Sequence, residues 1–254
     1  MTALSETATL FERDVRAKLR TPWPYVESLA DPLLLLLLFA PLAGAVAAVP
    51  DGAPGSSTMQ WFVPGMLVIM TFSTAAFIGS GIQEERAAGS LERLLVTPTH
   101  RAAVLLGRVL RVVVTVLVQA AVIVAVTAPM GLRVPVAGAL IAAVELAALA
   151  AGLALLSLAA GVGLRNAYAF WGVVTLIYTP LIVTSGALLP VQLAPDWLYG
   201  LSRVNPMAHT VDAQRALFAG DLADPSVTLA VLVSLGMAAL GLALGVRAMG
   251  RLRA

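Results

Sequence analysis

Apolar residues fall along this chain in six runs, each uncharged or nearly so, at about 32–49, 61–83, 109–128, 136–164, 167–189 and 226–246. A bilayer-crossing helix needs roughly 20 apolar residues, and lipid offers a backbone no outside hydrogen-bond partner, so each run reads as a spanning helix. The pattern predicts an all-α integral membrane fold with six transmembrane helices across residues 25–254. What lies between the runs is too short for a soluble domain of the usual minimum of about 50 residues. Residues 4–20 carry a different pattern. Leu4, Ala8, Phe11, Val15 and Leu19 share one helical face, and Arg13, Arg16 and Arg20 share the other. An amphipathic helix within residues 1–24, lying in the cytoplasmic interface with its basic face toward lipid headgroups, fits this pattern; a solvated helix packed on a partner protein is the competing reading. Pro22 and Pro24 separate it from the first span.

Within the spans, Pro32, Pro41, Pro64 and Pro180 are expected to kink their helices. Small residues recur at four-residue spacing, Ser157 with Gly161 and Gly241 with Gly245, where backbones can approach closely. Packing within the bundle is one meaning of these pairs and a dimer seam another. Two connections carry unusual composition. Between the second and third spans, Leu91, Leu94 and Leu95 fall on one helical face bounded by Gly89-Ser90 and Pro98, which predicts a short helix over 84–98 with an apolar face ringed by Glu and Arg. Such a face suits a groove on a partner or the lipid surface. The connection from 190 to 225 is rich in Trp, Tyr and Leu for a loop. It reads as two short helices dipping into the outer interface, with Trp197 and Tyr199 at headgroup level.

Composition agrees with the pattern. Of 254 residues, 59% are hydrophobic and 12% charged, against roughly 45–50% apolar and 25% charged in a soluble domain. The placement of charge orients the spans. All 16 basic residues except Arg133, Arg203 and Arg215 lie on one side if the six spans alternate, so the positive-inside rule puts both termini in the cytoplasm. A cleavable signal peptide is the competing reading of the first run, with Ala45-Val46-Ala47 as the cleavage site. Against it stand the long preceding segment, Glu27 and Asp31 within it, and apolar character that continues to Val49.

Candidate chemistry is sparse. The chain has no cysteine and only two histidines, His100 and His209, which excludes disulfides, thiolate metal sites and a zinc motif. A phosphate-binding P-loop needs a lysine after its last glycine, and the single lysine, Lys18, has no such context. No nucleophile elbow or zinc-protease helix is present, so no catalysis and no bound cofactor is expected. One acid falls deep in a span: Glu145, between Val144 and Leu146. A carboxylate there is costly in lipid and must face the bundle or a watery path. It reads either as a coupling proton or cation contact, or as interhelical glue bonded to Gln119 or a hydroxyl.

With these residues in view, the chain resembles the permease subunits of ABC type-2 exporters, the group that includes daunorubicin-resistance and nodulation-factor export permeases. The likeness runs nearly end to end. It is carried first by Glu85-Arg86-x-x-Gly89-x-Leu91-Glu92-x-Leu94-Leu95-x-Thr97-Pro98, then Arg101 and Leu105-Leu106-Gly107-Arg108. A second element is Leu189-Pro190, Trp197-Leu198, Asn205-Pro206-Met207, Asp212-Ala213 and Arg215. The resemblance implies that residues 84–98 form a coupling helix docking on a cytoplasmic ABC ATPase, and that 190–225 form an outer re-entrant segment. It implies ATP and Mg on that partner, a second permease chain (a copy or a sibling), a bacterial plasma membrane and no nucleic acid. A drug-like or lipid-like cargo is favoured by the short outer surface. A proton-coupled secondary transporter using Glu145, and a structural membrane subunit that transports nothing, are the alternatives that the residues alone leave open.

Overall fold

The computed structural model describes residues 30, 33, 34, 37, 38, 58–88 and 101–251, and their regular structure is entirely helical. The helices are α1 (Thr58–Ala87), α2 (Arg101–Thr127), α3 (Val136–Gly163), α4 (Ala167–Val183), α5 (Asp196–Ser202), α6 (Pro206–Ala219) and α7 (Pro225–Arg251), with short 3-10 turns at Ala128–Met130 and Val191–Leu193. Ala30, Leu33, Leu34, Leu37 and Leu38, at the start of the first apolar run, are also helical. Among the described residues, four helices are long and apolar enough to cross a membrane: α1, α2, α3 and α7. At 17 residues α4 is shorter than a full span.

The fifth apolar run extends to 189, yet α4 ends at Val183, three residues past Pro180. The last turn is closed by local bonds: Thr184 Oγ1 donates to the Pro180 carbonyl at 2.8 Å and Ser185 Oγ to that of Ile182 at 2.7 Å, beside the backbone N–H groups of the same two residues. Gly186 then reverses the chain at φ 74°, a left-handed angle that costs a side-chain-bearing residue more. Pro64, by contrast, sits within an unbroken α1.

Cross-helix contacts give each helix its direction. Along α1, Gln60, Ala76 and Gln83 meet Arg133, Ser157 and Gly161 in turn, so α1 and α3 run parallel. Helix α2 is antiparallel to α1, with Thr74 meeting Gln119 and Glu85 meeting Arg108. Helix α4 is antiparallel too: Phe77 packs edge-on to Trp171 and Phe72 stacks on Tyr178. Helix α7 runs with α3, since Gly152 lies against Ser234 and Gly241 against Leu155. Five helices therefore alternate in the order that short connections require. The bundle has a Gln60 end and an Arg86 end.

Helix α1 lies at the centre, 78% of its spanning window buried, against 22% for α7. Its tightest neighbour is α3. A Cβ on Gly161 would run into the Gly79 carbonyl, and one on Gly79 would strike Ser157 and Phe170. Ser157 uses the closeness: its hydroxyl donates to the Ala76 carbonyl at 2.8 Å and accepts from Gly79 N–H at 3.1 Å. The Ser157–Gly161 pair is thus an internal seam. Gly245 has open space around it, and of the second pair only Gly241 touches α3.

Gly161→Leu should force α1 and α3 apart and destabilise the solubilised protein by roughly 1–3 kcal/mol, the usual cost of overpacking. Gly245→Ala should leave its thermal midpoint unchanged or raise it. Equal midpoints for Gly161→Leu and the parent in detergent would contradict this crossing.

Candidate functional site

Besides the Ser157 seam, polar contacts between the described helices gather at the Arg86 end, mid-bundle and at the Gln60 end. At the Arg86 end, the last carbonyls of α3 lack helical partners, and two side chains of α1 serve them. Gln83 Nε2 donates to the Gly161 and Leu164 carbonyls at 2.6 and 2.9 Å. Arg86 donates to Leu164 and Val162 at 3.0 and 3.1 Å. A guanidinium at a helix C-terminus also meets the negative end of the helix dipole. One residue earlier, Glu85 pairs with Arg108 of α2 at 2.6 Å. Glu85 and Arg86, adjacent in sequence, therefore tie the end of α1 to two different helices.

Of the other residues expected in the docking segment, Gly89, Leu91, Glu92, Leu94, Leu95, Thr97 and Pro98 lie outside the described residues, and Arg101 is the first residue of α2. The segment is bracketed by the Glu85–Arg108 pair.

The middle junction is built on Glu145. Its side chain is fully buried in α3. Gln214 Nε2 of α6 donates to Glu145 Oε2 at 2.8 Å and to the Ala142 carbonyl at 3.0 Å. Ser234 of α7 donates to Oε1 at 3.2 Å. One carboxyl group thus joins three helices through neutral donors. The hydroxyl expected beside Glu145 is Ser234; the glutamine is Gln214, while Gln119 accepts from Thr74 at 3.0 Å. Sequence held a signal for Gln214 that composition obscured. Met207, Thr210, Val211, Gln214, Leu217 and Phe218 recur at helical spacing and are all buried, so Gln214 shares the apolar face of α6.

At the Gln60 end, α6 lies within the length of α1 and α3. Its start is fixed by Asn205, whose Oδ1 accepts from Met207 N–H at 2.8 Å while Nδ2 donates to the Leu181 carbonyl at 2.7 Å and Thr184 Oγ1 at 2.9 Å. Pro206 follows at the first helical position, where its missing N–H costs nothing. Arg215 lies over the Trp61 ring, 4.1 Å from its centroid, and donates to the Trp61 and Gly186 carbonyls. Gln60 closes the end, donating to the Phe218 carbonyl at 2.7 Å. Trp197 on α5 and Asp212 on α6 are exposed, so the residues of the outer element do not form one cluster. Asn205, Pro206 and Arg215 anchor α6, and the other two face outward. Near the start of α7, hydrogen bonds from Ser226 hold the Asp224 carboxyl below the usual carboxylate range.

Gln214→Leu should leave the Glu145 carboxyl short of a donor at a cost of about 1–3 kcal/mol, whereas Glu145→Gln keeps an amide in hydrogen-bond reach of Ser234. Denaturation in mixed micelles should therefore order the proteins as parent, Glu145→Gln, then Gln214→Leu. An unchanged midpoint for Gln214→Leu would remove the junction from the stability of the bundle.

Comparison with known proteins meets this geometry. Residues 5–219 match the family described as ABC-2 type transporter. The daunorubicin resistance ABC transporter permease protein DrrB1 of Streptomyces coeruleorubidus is 26% identical over 246 residues, covering 94% of this chain and 83% of that protein. The protein named "Probable multidrug ABC transporter permease YbhR" in Escherichia coli K12 is 28% identical over 166 residues, 64% of this chain and 45% of its own length. ABC transporter G family member 20 of Dictyostelium discoideum is 28% identical over 166 residues, 65% of this chain and 23% of that much longer protein. A match of this extent, on a bundle of apolar helices whose Glu-Arg pair and Asn-Pro element make the contacts described, shows that the chain belongs to the ABC-2 type transporter family and is a multi-pass membrane subunit of an ABC transporter.

Proposed function

We propose that this chain is the permease of a bacterial plasma-membrane exporter that is driven by a separate cytoplasmic ABC ATPase and carries a drug-like or lipid-like cargo outward. The observation that carries this reading is the bracketing of the 89–100 segment: Glu85 joins α1 to Arg108 of α2 just beyond the segment, and Arg86 joins α1 to the end of α3. A push on that segment acts on three helices together. ATP and Mg belong to the partner, and a nucleotide-binding dimer calls for two permease chains, two copies or this chain with a sibling.

In this reading six spans cross the bilayer. The first is the run at about 32–49, in which Leu33, Leu34, Leu37 and Leu38 are helical, and the fifth is α4. Both termini and the Arg86 end are cytoplasmic, in keeping with the bias of basic residues, and residues 1–24 lie along the inner lipid surface. The outer element at 190–225 is re-entrant: α4 stops short, Ala187 just past its end packs against Gly65 of α1, Asn205 starts α6 within the bundle, and α6 climbs back along α1 and α3 to the Gln60 end. Glu145 then acts as the junction that seats α6, since both of its oxygens are engaged by neighbouring helices. The drug-like cargo draws support from the names of two relatives, one a daunorubicin resistance permease and the other a multidrug permease.

The docking helix supplies the test. Leu94→Asp places a carboxylate in the contact expected of Leu91, Leu94 and Leu95, a desolvation cost of several kcal/mol, while lying outside the lipid core. The variant should insert normally and lose co-purifying ATPase, whereas Arg251→Ala should change little. A Leu94→Asp protein with its full complement of bound ATPase would overturn the docking role.

A further inference from the structure

Arg86 and Gln83 face inward, onto the end of α3, and not toward a partner on the bundle's surface. Four hydrogen bonds of 2.6 to 3.1 Å join them to the carbonyls of Gly161, Val162 and Leu164. These are the carbonyls that a helix cannot satisfy for itself. The chain then turns at Arg165 and enters α4 at Ala167, whose start is capped by Asn166 Oδ1 accepting from Ala169 N–H at 2.8 Å. The grip therefore falls on the corner between α3 and α4, not on the middle of either helix.

We propose that Gln83 and Arg86 are positioning residues that form a clamp, one that makes the α3–α4 corner follow the end of α1 when the ATPase moves it. This rests on the reading that a separate ATPase acts at the Arg86 end. Clamping and packing meet at Gly161, whose carbonyl Gln83 takes, and are otherwise separate. Somewhat more than a turn away along α1, Ser157 Oγ already donates to Ala76 and accepts from Gly79, and Gly161 lies flush against Gly79. That seam keeps α1 and α3 adjacent without the clamp, so the resting bundle does not need Arg86 to assemble. Under load the seam acts as a pivot, and the free ends beyond it swing apart unless they are held. Among the described residues beyond the seam on α1, Gln83 and Arg86 hydrogen-bond the α3 end, one with two amide hydrogens and the other with a forked guanidinium that spans two carbonyls.

α3 carries the consequence further. The same helix holds Glu145, bonded to Gln214 of α6 and Ser234 of α7. Displacing its clamped end moves a rod whose other half seats α6. Without the clamp, ATPase motion would bend α1 and leave α3 and α6 behind.

The chain has no cysteine, so a spin-label pair can be placed and labelled in the permease before the ATPase is added back. Ala88 is exposed, and a side chain at Gly163 meets nothing within 4 Å, which puts one label on each side of the clamp. The labelled Ala88→Cys, Gly163→Cys protein, diluted with unlabelled parent so that few complexes carry two labelled chains, is to be assembled with its ATPase and its label distance measured by electron spin resonance, first without nucleotide and then with Mg-ATP held by vanadate. The parent distance should not change with nucleotide. Arg86→Ala combined with Gln83→Ala should keep its ATPase, match the parent without nucleotide, and lengthen and broaden by several ångström with Mg-ATP. Arg86→Lys, which keeps one cationic donor beside an intact Gln83, should behave as the parent does. A nucleotide-dependent distance in the parent overturns the clamp without any clamp variant being needed. A double alanine variant that stays rigid with Mg-ATP overturns it as well, and one that loses its ATPase does so by making Arg86 and Gln83 contacts of the partner. A parent that purifies with no ATPase overturns the permease reading itself, and the clamp's role with it.

Discussion

A polar group inside a bilayer has no water to fall back on, and the organisation of this bundle follows from where such groups find partners. α3 concentrates the problem. Its last carbonyls lie open at one end, and a carboxyl group sits fully buried near its middle. Each is served from a different helix: the carbonyls by Gln83 and Arg86 of α1, the carboxyl by Gln214 of α6 and Ser234 of α7. Hydrophobic attraction does not distinguish one apolar helix face from another in lipid. Hydrogen bonds and close glycine crossings do, and here they select which helices touch and at what height.

This accounts for the unequal exposure of the helices. α1 receives contacts from α2, α3, α4 and α6 and is mostly buried, while α7 meets its neighbours along one side and turns Leu232, Leu235 and Leu240 outward. α6, which is not a spanning helix by length, is nevertheless buried because Asn205, Arg215 and Gln214 bind it at its start, along its length and across to α3. Under the proposed function this is a useful division. A stiff core of α1, α2 and α3 carries force from the nucleotide side, and α6, seated on that core, responds at the other end.

Much of this was legible beforehand. The uncharged runs locate α2, α3 and α7 to within a few residues, apart from the charged first turns of α2, because lipid tolerates few substitutions that would blur them. The fifth run overestimates α4, since Thr184, Ser185 and Gly186 are all compatible with an apolar run, yet the chain leaves the helix there and turns at Gly186, φ 74°. The Glu-Arg and Asn-Pro elements stood out by composition, but their contacts did not. Which carbonyls Arg86 would reach depends on α3 lying parallel to α1, and nothing in the local sequence states that. Of the partners expected for Glu145, the hydroxyl is there as Ser234, while the amide is not Gln119, near in span order, but Gln214, 69 residues away on a helix whose seat only the folded chain defines. Ser157 and Gly161 were readable as a contact surface, though not whether the surface faced inward or toward a second chain.

Whether an ATPase energises this chain is the question on which the rest turns. Native mass spectrometry of the complex, extracted from the organism's own membranes through a tag on this chain, answers it directly. The predicted result is an assembly of permease chains with P-loop ATPase chains whose mass rises in steps on binding Mg-ATP. An assembly that contains this chain alone, or only with other membrane subunits, and that gains no mass with Mg-ATP would contradict it.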